Sequence, residues 1–231
     1  MKYEHIQQEA YEANMELPKL DLVLFTFGNV SAADRSLGVF AIKPSGVPYE
    51  ELTPAKMVIV DFDGNIVEGQ LRPSSDTKTH AVLYQQWDSI GGVVHTHSTY
   101  ATAWAQSQLD IPIYGTTHAD YNTVNIPCAA PMSDESISGN YEYETGFQII
   151  NCFKERGLRY KEVEMVLVGN HAPFTWGKNA HKAVHNSAVL EFIAKTALFT
   201  QQINPAAPVL KEALKQKHYD RKHGANKYYG Q

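Results

Sequence analysis

Cysteine is scarce in this sequence. Cys128 and Cys152 are the two in 231 residues, too few for a disulfide framework, which excludes a disulfide-built secreted scaffold. Both read as structural. No apolar run approaches the roughly 20 residues that a membrane-spanning helix requires. The opening Met1-Lys-Tyr-Glu-His-Ile is polar and lacks the apolar heart of a secretory signal. Long basic runs are missing too, and with 20 Lys and Arg against 25 Asp and Glu the net charge is −5. Nucleic acid is therefore not expected as a partner, nor is a membrane. There is no internal repeat, no low-complexity linker and no charge block to divide the chain. The expectation is one cytoplasmic domain spanning residues 1–231, with 43% hydrophobic and 11% aromatic residues to build its core.

The periodicity predicts an opening helix over 2–17, stopped by Pro18. Leu22-Val-Leu-Phe-Thr-Phe27 reads as a strand, as do Val39–Ile42 and Met57–Phe62, the last turning at Asp63-Gly64 into a return through Ile66-Val67. A helix over Thr77–Trp87 follows, with Asp76 or Thr77 placed to cap it. Next come a strand over Val93–His97, a short helix over Ala101–Gln106 and an irregular strand at Ile111-Pro-Ile113. A helix over Gly146–Arg156, a strand over Met165–Val168, a long helix capped by Asn179 and a last helix after Pro208 complete the chain. Several strands are joined too closely for parallel crossovers, so helices should flank a largely antiparallel sheet.

The chemistry gathers around Ile90-Gly-Gly-Val-Val-His95-Thr-His97. In a strand, residues two apart share a face. Two imidazoles placed so can hold one ion of the zinc, copper, iron or nickel kind; two histidines bonded to backbone or solvent are the plainer alternative. A catalytic zinc keeps three protein ligands and an open position, and His171, delivered by the strand ending at Val168, is the best third candidate. Lys43-Pro-Ser45-Gly46, Pro73-Ser74-Ser75-Asp76 and Gly28-Asn29 each offer small residues, hydroxyls or backbone amides to an anion, the second at a helix start. Asp120, in a His-Ala-Asp-Tyr segment, is either a general acid/base or a turn aspartate capping its own backbone. Tyr228-Tyr229 next to the last residues suggests docking into a neighbouring subunit.

Taken together, Gly28-Asn-Val-Ser, Lys43-Pro-Ser-Gly, Pro73-Ser-Ser-Asp, Val94-His-Thr-His, Gly115-Thr-Thr-His-Ala-Asp, Asn170-His-Ala-Pro-Phe and the tail from His218 through Arg221 to Tyr229-Gly-Gln resemble the class II aldolase/epimerase family. The likeness is to its metal-dependent branch that inverts C4 of a ketopentose 5-phosphate. It implies an α/β fold, a single-domain α/β/α sandwich around a central, largely antiparallel sheet, and C4 homotetramers with active sites between adjacent subunits. The implied activity interconverts L-ribulose 5-phosphate and D-xylulose 5-phosphate. The implied cofactor is one divalent metal per subunit, usually zinc, on His95, His97 and His171, with Asp76 as a fourth ligand or beside the metal. Gly28, Asn29, Ser45, Gly46, Ser74 and Ser75 would hold the phosphate, with Lys43 nearby. Asp120 and Tyr229 would be the acid/base pair, Tyr229 coming from the next subunit. Thr116, Glu142, His218 and Arg221 rank second. A class II sugar-phosphate aldolase is the nearest alternative, followed by a dehydratase and then by a non-catalytic module, which would be expected to lose the metal histidines. The pathway stays open between L-arabinose and L-ascorbate breakdown.

Overall fold

The computed structural model describes residues 2–224, 227 and 228. In chain order the elements are α1 Glu4–Lys19, β1 Asn29–Asp34, β2 Val39–Ile42, β3 Val58–Asp61, β4 Ile66–Glu68, α2 Thr77–Gln86, β5 Gly92–His95, α3 Thr99–Ser107, α4 Thr116–Ala119, β6 Cys128–Ala129, α5 Asp134–Ser138, α6 Tyr141–Glu155, β7 Met165–Val168, β8 Pro173–Gly177, α7 Ala180–Ile203 and α8 Glu212–His223. The eight strands form one sheet in the order β4-β3-β2-β1-β5-β8-β7-β6. Every neighbouring pair is antiparallel except β6 and β7, which run parallel.

Alternation along the strands decides which helices cover which face. Phe40, Ile42, Val58, Val60, Val93, Val166, Phe174 and Trp176 meet Leu83 and Tyr84 of α2 and Ile149 and Phe153 of α6. The intervening Val39, Ala41, Ile59 and Val94 meet Ile6, Ala10 and Leu17 of α1 and Val184 of α7. Further along, Met165 and Leu167 pack on Trp104 of α3 and Leu190 of α7. With both faces covered, β2 and β7 read as unbroken apolar runs, and the result is the expected α/β/α sandwich.

The Gly91-Gly92 pair has a packing reason. A Cβ on Gly91 would stand 2.3 Å from the Lys178 carbonyl oxygen, and one on Gly92 2.4 Å from Ala180 Cα. Both obstacles are backbone at the start of α7, which cannot swing aside as a side-chain tip can. Gly92→Ala is expected to destabilise the protein by about 1–3 kcal/mol through overpacking, read as a lower denaturant midpoint.

Several boundaries depart from expectation. Leu22–Phe27 is a bent loop, not a strand; Asp21 and Phe25 have φ of 54° and 53°, and Leu24, Phe25 and Phe27 are 68%, 84% and 54% exposed. The central strand is instead β1, Asn-Val-Ser-Ala-Ala-Asp, whose small polar residues carry little hydrophobic signal. Buried Asn14 of α1 ties to it, accepting from Val30 N at 2.9 Å and donating to Val30 O at 2.9 Å. Pro18 lies inside the last turn of α1, which runs on one residue further to Lys19. β5 ends at His95, so His97 lies beyond the strand. α6 begins at Tyr141, one turn before the expected Gly146, and β8 was not anticipated, because Pro173 heads it.

Candidate active site

Pairing of β5 with β1 and β8 sets Asn29 opposite His95 and His95 opposite Phe174. The end of the central strand, the Gly28-Asn29 turn and the loop before β8 therefore converge on one spot. His95 is buried at 3% exposure. Its Nδ1 lies 3.0 Å from the Pro173 carbonyl, which only accepts, so the ring proton sits on Nδ1 and Nε2 presents a lone pair. That lone pair faces His97 Nε2 at 3.1 Å. His97 has left the strand, so the two histidines do not share a strand face as expected; the turn after β5 carries the His97 ring back to His95. His171 completes the group: the candidate donor atoms of the three all lie within 4.8 Å of one another. Buried His171 Nδ1 has no hydrogen-bond partner among the described residues.

The electrostatics suit a cation. Burial, then His95 and His97, push His171 down to about 3. Burial and His95 also lower His97. Both shifts favour the neutral imidazole that a metal requires, and the three rings bring their nitrogens close together, a donor set that fits a divalent transition metal of the zinc class. Asp76 adjoins them. It is the N-cap residue of α2, yet its carboxylate does not cap the helix. It turns inward, where Oδ2 accepts from Asn29 Nδ2 at 2.7 Å and from Ser74 Oγ at 3.5 Å. Burial alone would raise this carboxyl; nearby His95 and His80 and the Asn29 amide outweigh it and hold the group below the usual carboxylate range.

The two hydroxyl-rich loops are zipped together. Ser45 N donates to Arg72 O at 2.9 Å and Ser74 N to Lys43 O at 3.0 Å, and Pro44 pairs with Pro73. Those two amides are therefore spent. The Gly46 and Ser75 amides and the Ser45 and Ser75 hydroxyls have no intramolecular partner among the described residues. Gly46 adopts φ of 70°, and a Cβ there would meet nothing within 4 Å, so its backbone is open to a ligand. Gly28 is constrained differently: at φ of 74° a Cβ would stand 2.6 Å from Val23 Cγ1. Beneath both loops lies Lys43, 2% exposed. Its ammonium donates to Thr26 O at 3.2 Å and rests 4.9 Å from the Tyr49 ring. Burial pushes it down to about 8, which a bound anion would reverse.

All these groups share one open cavity of about 470 Å³, walled by Gly28, Asn29, Lys43, Ser45, Gly46, Ser74, Ser75, Asp76, His95, His97 and His171. The same wall holds Phe27, Tyr141 and Glu142. Glu142 ranked second in the sequence; Phe27 and Tyr141 did not stand out. Phe27 was hidden in the run read as a strand, and Tyr141 lies ahead of the expected helix start.

Asp120 is not on this wall. Its Oδ1 accepts from Arg221 Nε at 2.9 Å and His218 Nδ1 at 3.0 Å, and its Oδ2 from Arg221 Nη2 at 2.8 Å. Burial would raise its carboxyl, but Arg221 and His218 hold it low. His218 and Arg221 thus act on Asp120, not on the cavity, and Thr116 lines a separate groove with His118 and Phe192. Tyr229 lies outside the described residues.

Comparison with known proteins follows the same lines. Residues 8–198 match the family model described as Class II Aldolase and Adducin N-terminal domain. The chain is 52% identical over 226 residues to L-ribulose-5-phosphate 4-epimerase UlaF of Salmonella paratyphi B, covering 98% of each. Among solved structures it resembles an L-fuculose 1-phosphate aldolase at a TM-score of 0.78 and 24% identity, over 94% of this chain and 95% of that one. An L-fuculose-1-phosphate aldolase from Thermus thermophilus follows the same fold at a TM-score of 0.67 and 22% identity, over 89% and 98%.

Proposed function

The chain belongs to the class II aldolase and adducin family, and from that premise we propose that it is an L-ribulose-5-phosphate 4-epimerase, an isomerase that interconverts L-ribulose 5-phosphate and D-xylulose 5-phosphate. The observation that carries this reading is the joining, in one cavity, of three converging histidines with two zipped loops over a buried lysine. A ketopentose phosphate needs both ends held. The name of the 52%-identical relative, aligned over nearly its whole length, supports the choice of substrate.

The C4 hydrogen is not α to the C2 carbonyl, so removing it yields no conjugated anion. Cleaving C3–C4 places the electron pair on C3 as an enediolate and leaves glycolaldehyde phosphate. His95, His97 and His171, with Asp76 as a fourth donor or beside them, would hold a divalent metal, zinc or another, which would supply Lewis-acid stabilisation of the developing negative charge. The residues of the chain do the rest. Gly28, Asn29, Ser45, Gly46, Ser74 and Ser75 with Lys43 anchor the phosphate while the aldehyde rotates and presents its other face. Phe27 and Tyr141 give the cavity wall an apolar side. The C4 hydroxyl loses its proton to one group and, re-formed on the opposite face, regains one from another; Asp120 and Tyr229 take these roles.

Asp120 is not on the wall of the histidine-lined cavity of its own chain, so we infer a C4 homotetramer in which adjacent subunits complete each site. Exposed Leu24, Phe25 and Phe27 beside the cavity, and Phe192, Phe199 and Ile203 on α7, supply apolar area for such contacts. No helix among the described residues is long and apolar enough to cross a membrane. The sugar-phosphate substrate and the two free thiols fit the cytoplasm.

The test is direct: incubate purified protein with L-ribulose 5-phosphate and follow D-xylulose 5-phosphate. Release of free glycolaldehyde phosphate without epimer would mean an aldolase instead. Lys43 gives a pH signature. Its ammonium is half lost near pH 8 in the empty site, so KM for the phosphate ester should be flat at lower pH and climb as pH rises through that value. Lys43→Met should raise KM by about 10–100-fold, the loss of one charge-assisted contact, and flatten the climb. Ser75→Ala should raise KM more modestly.

A further inference from the structure

The short turn that carries His97 is pinned from outside. β5 ends at His95 and α3 begins at Thr99, so His97 sits between them with Thr96 and Ser98. The hydroxyls of Thr96 and Ser98 are buried and have no hydrogen-bond partner among the described residues. Ser98 is the N-cap residue of α3, yet its side chain does not cap the helix. The first amides of a helix lack partners within it. Here a carboxylate of α7 takes two of them: Glu191 Oε1 accepts from Tyr100 N at 2.9 Å, and Oε2 from Ala101 N at 2.9 Å. An ionised acceptor makes stronger bonds than a hydroxyl, and negative charge suits a helix start.

The same helix reaches further along the segment. One turn on, Trp104 Nε1 donates to Ala194 O at 3.0 Å, so α3 is strapped to α7 along one side. At the other end of β5, Gly91 and Gly92 lie against the backbone that starts α7, and Val94 shares a core with Val184. The stretch that bears His95 and His97 is therefore registered on α7 before the strand begins and after the turn ends. Glu191 is not on the wall of the histidine-lined cavity, so its influence there runs through the backbone of α3.

We propose that Glu191 is a positioning residue for His97, holding the first turn of α3 to α7 so that the His97 ring stays beside His95 and His171. The proposal rests on the metal reading above. A metal site needs its ligands held to within about 0.5 Å by their surroundings, and a turn whose own hydroxyls bond nothing among the described residues takes that rigidity from its two ends.

Glu191→Ala removes both acceptors; Glu191→Gln keeps one. Protein loaded with zinc is mixed with excess chelator and metal release is timed, alongside kcat and KM. Glu191→Ala should release zinc about 3–30 times faster than wild type, the scale of a lost helix cap. Its kcat should fall by a similar factor. KM for the phosphate ester should stay near wild type, because the phosphate loops belong to other segments. Glu191→Gln should fall between the two. Ser133→Ala, which removes the N-cap bond of α5, controls for loss of a cap elsewhere and should release zinc at the wild-type rate. A folded Glu191→Ala, or Glu191→Gln where the alanine variant does not fold, that releases zinc at the wild-type rate would reduce Glu191 to a helix cap and overturn the proposal. Equal acceleration in Ser133→Ala would overturn it too. A wild type that binds no metal, or His97→Ala that keeps it, would instead bring down the metal reading, and this inference with it.

Discussion

His97→Ala is expected to purify folded, to carry no divalent metal above background and to lose at least about three orders of magnitude in turnover. His97 lies beyond the end of β5, and its side chain reaches solvent, so truncation opens no core cavity. Only His95 and His171 then remain of the converging set, and two imidazoles fall short of the three ligands a catalytic zinc keeps. Losing several kcal/mol of enediolate stabilisation corresponds, at 1.36 kcal/mol per decade, to the stated loss. Metal analysis and circular dichroism on the same sample check it; full metal occupancy in a folded variant would refute the ligand assignment. The low His171 value of about 3 adds a second expectation: protons should compete poorly for that position across the ordinary working range.

The histidine cluster was legible in the sequence because its chemistry sits in short contiguous motifs. His-Thr-His and Asn-His-Ala-Pro each follow a β-branched run, and a strand end is where side chains emerge from a core. The phosphate loops were legible for the same reason, although not which amides stay open: that depends on the Ser45–Arg72 and Ser74–Lys43 zipper, a pairing between residues far apart in sequence. β1 escaped notice because its burial comes from Asn14 and from helices on both faces, not from its own apolarity. Leu22–Phe27 misled in the opposite sense, an apolar run that is surface. Glu191 gave no signal on its long helix; only its two bonds to the α3 amides single it out. Asp120 was visible as a candidate, but its direction was not, since α8 approaches it from about a hundred residues away.

Tyr229→Phe is expected to fold, assemble and hold metal, yet lose about 10²–10⁴-fold in epimerisation, the usual worth of a positioned acid or base. The cavity of a single chain contains the histidines and the phosphate loops, while Asp120 is clamped by Arg221 and His218 elsewhere in that chain. On the proposed reading these are two half-sites, and a head-to-tail ring would bring the halves of neighbouring chains together. A phenol, with an unperturbed pKa near 10, is protonated at neutral pH and ready to donate from the face opposite Asp120; a nearby cation would lower that value and ease the return transfer. Mixing Tyr229→Phe subunits with His97→Ala subunits should therefore restore activity that neither has alone. In an equal mixture about a quarter of the interfaces would pair an intact metal site with an intact tyrosine, by random assembly around a heterologous ring. Recovery should appear only under conditions where subunits exchange, and should rise with the fraction of mixed rings resolved by native mass spectrometry. Proven exchange with no recovery would place the tyrosine in its own chain's site, or outside the chemistry altogether.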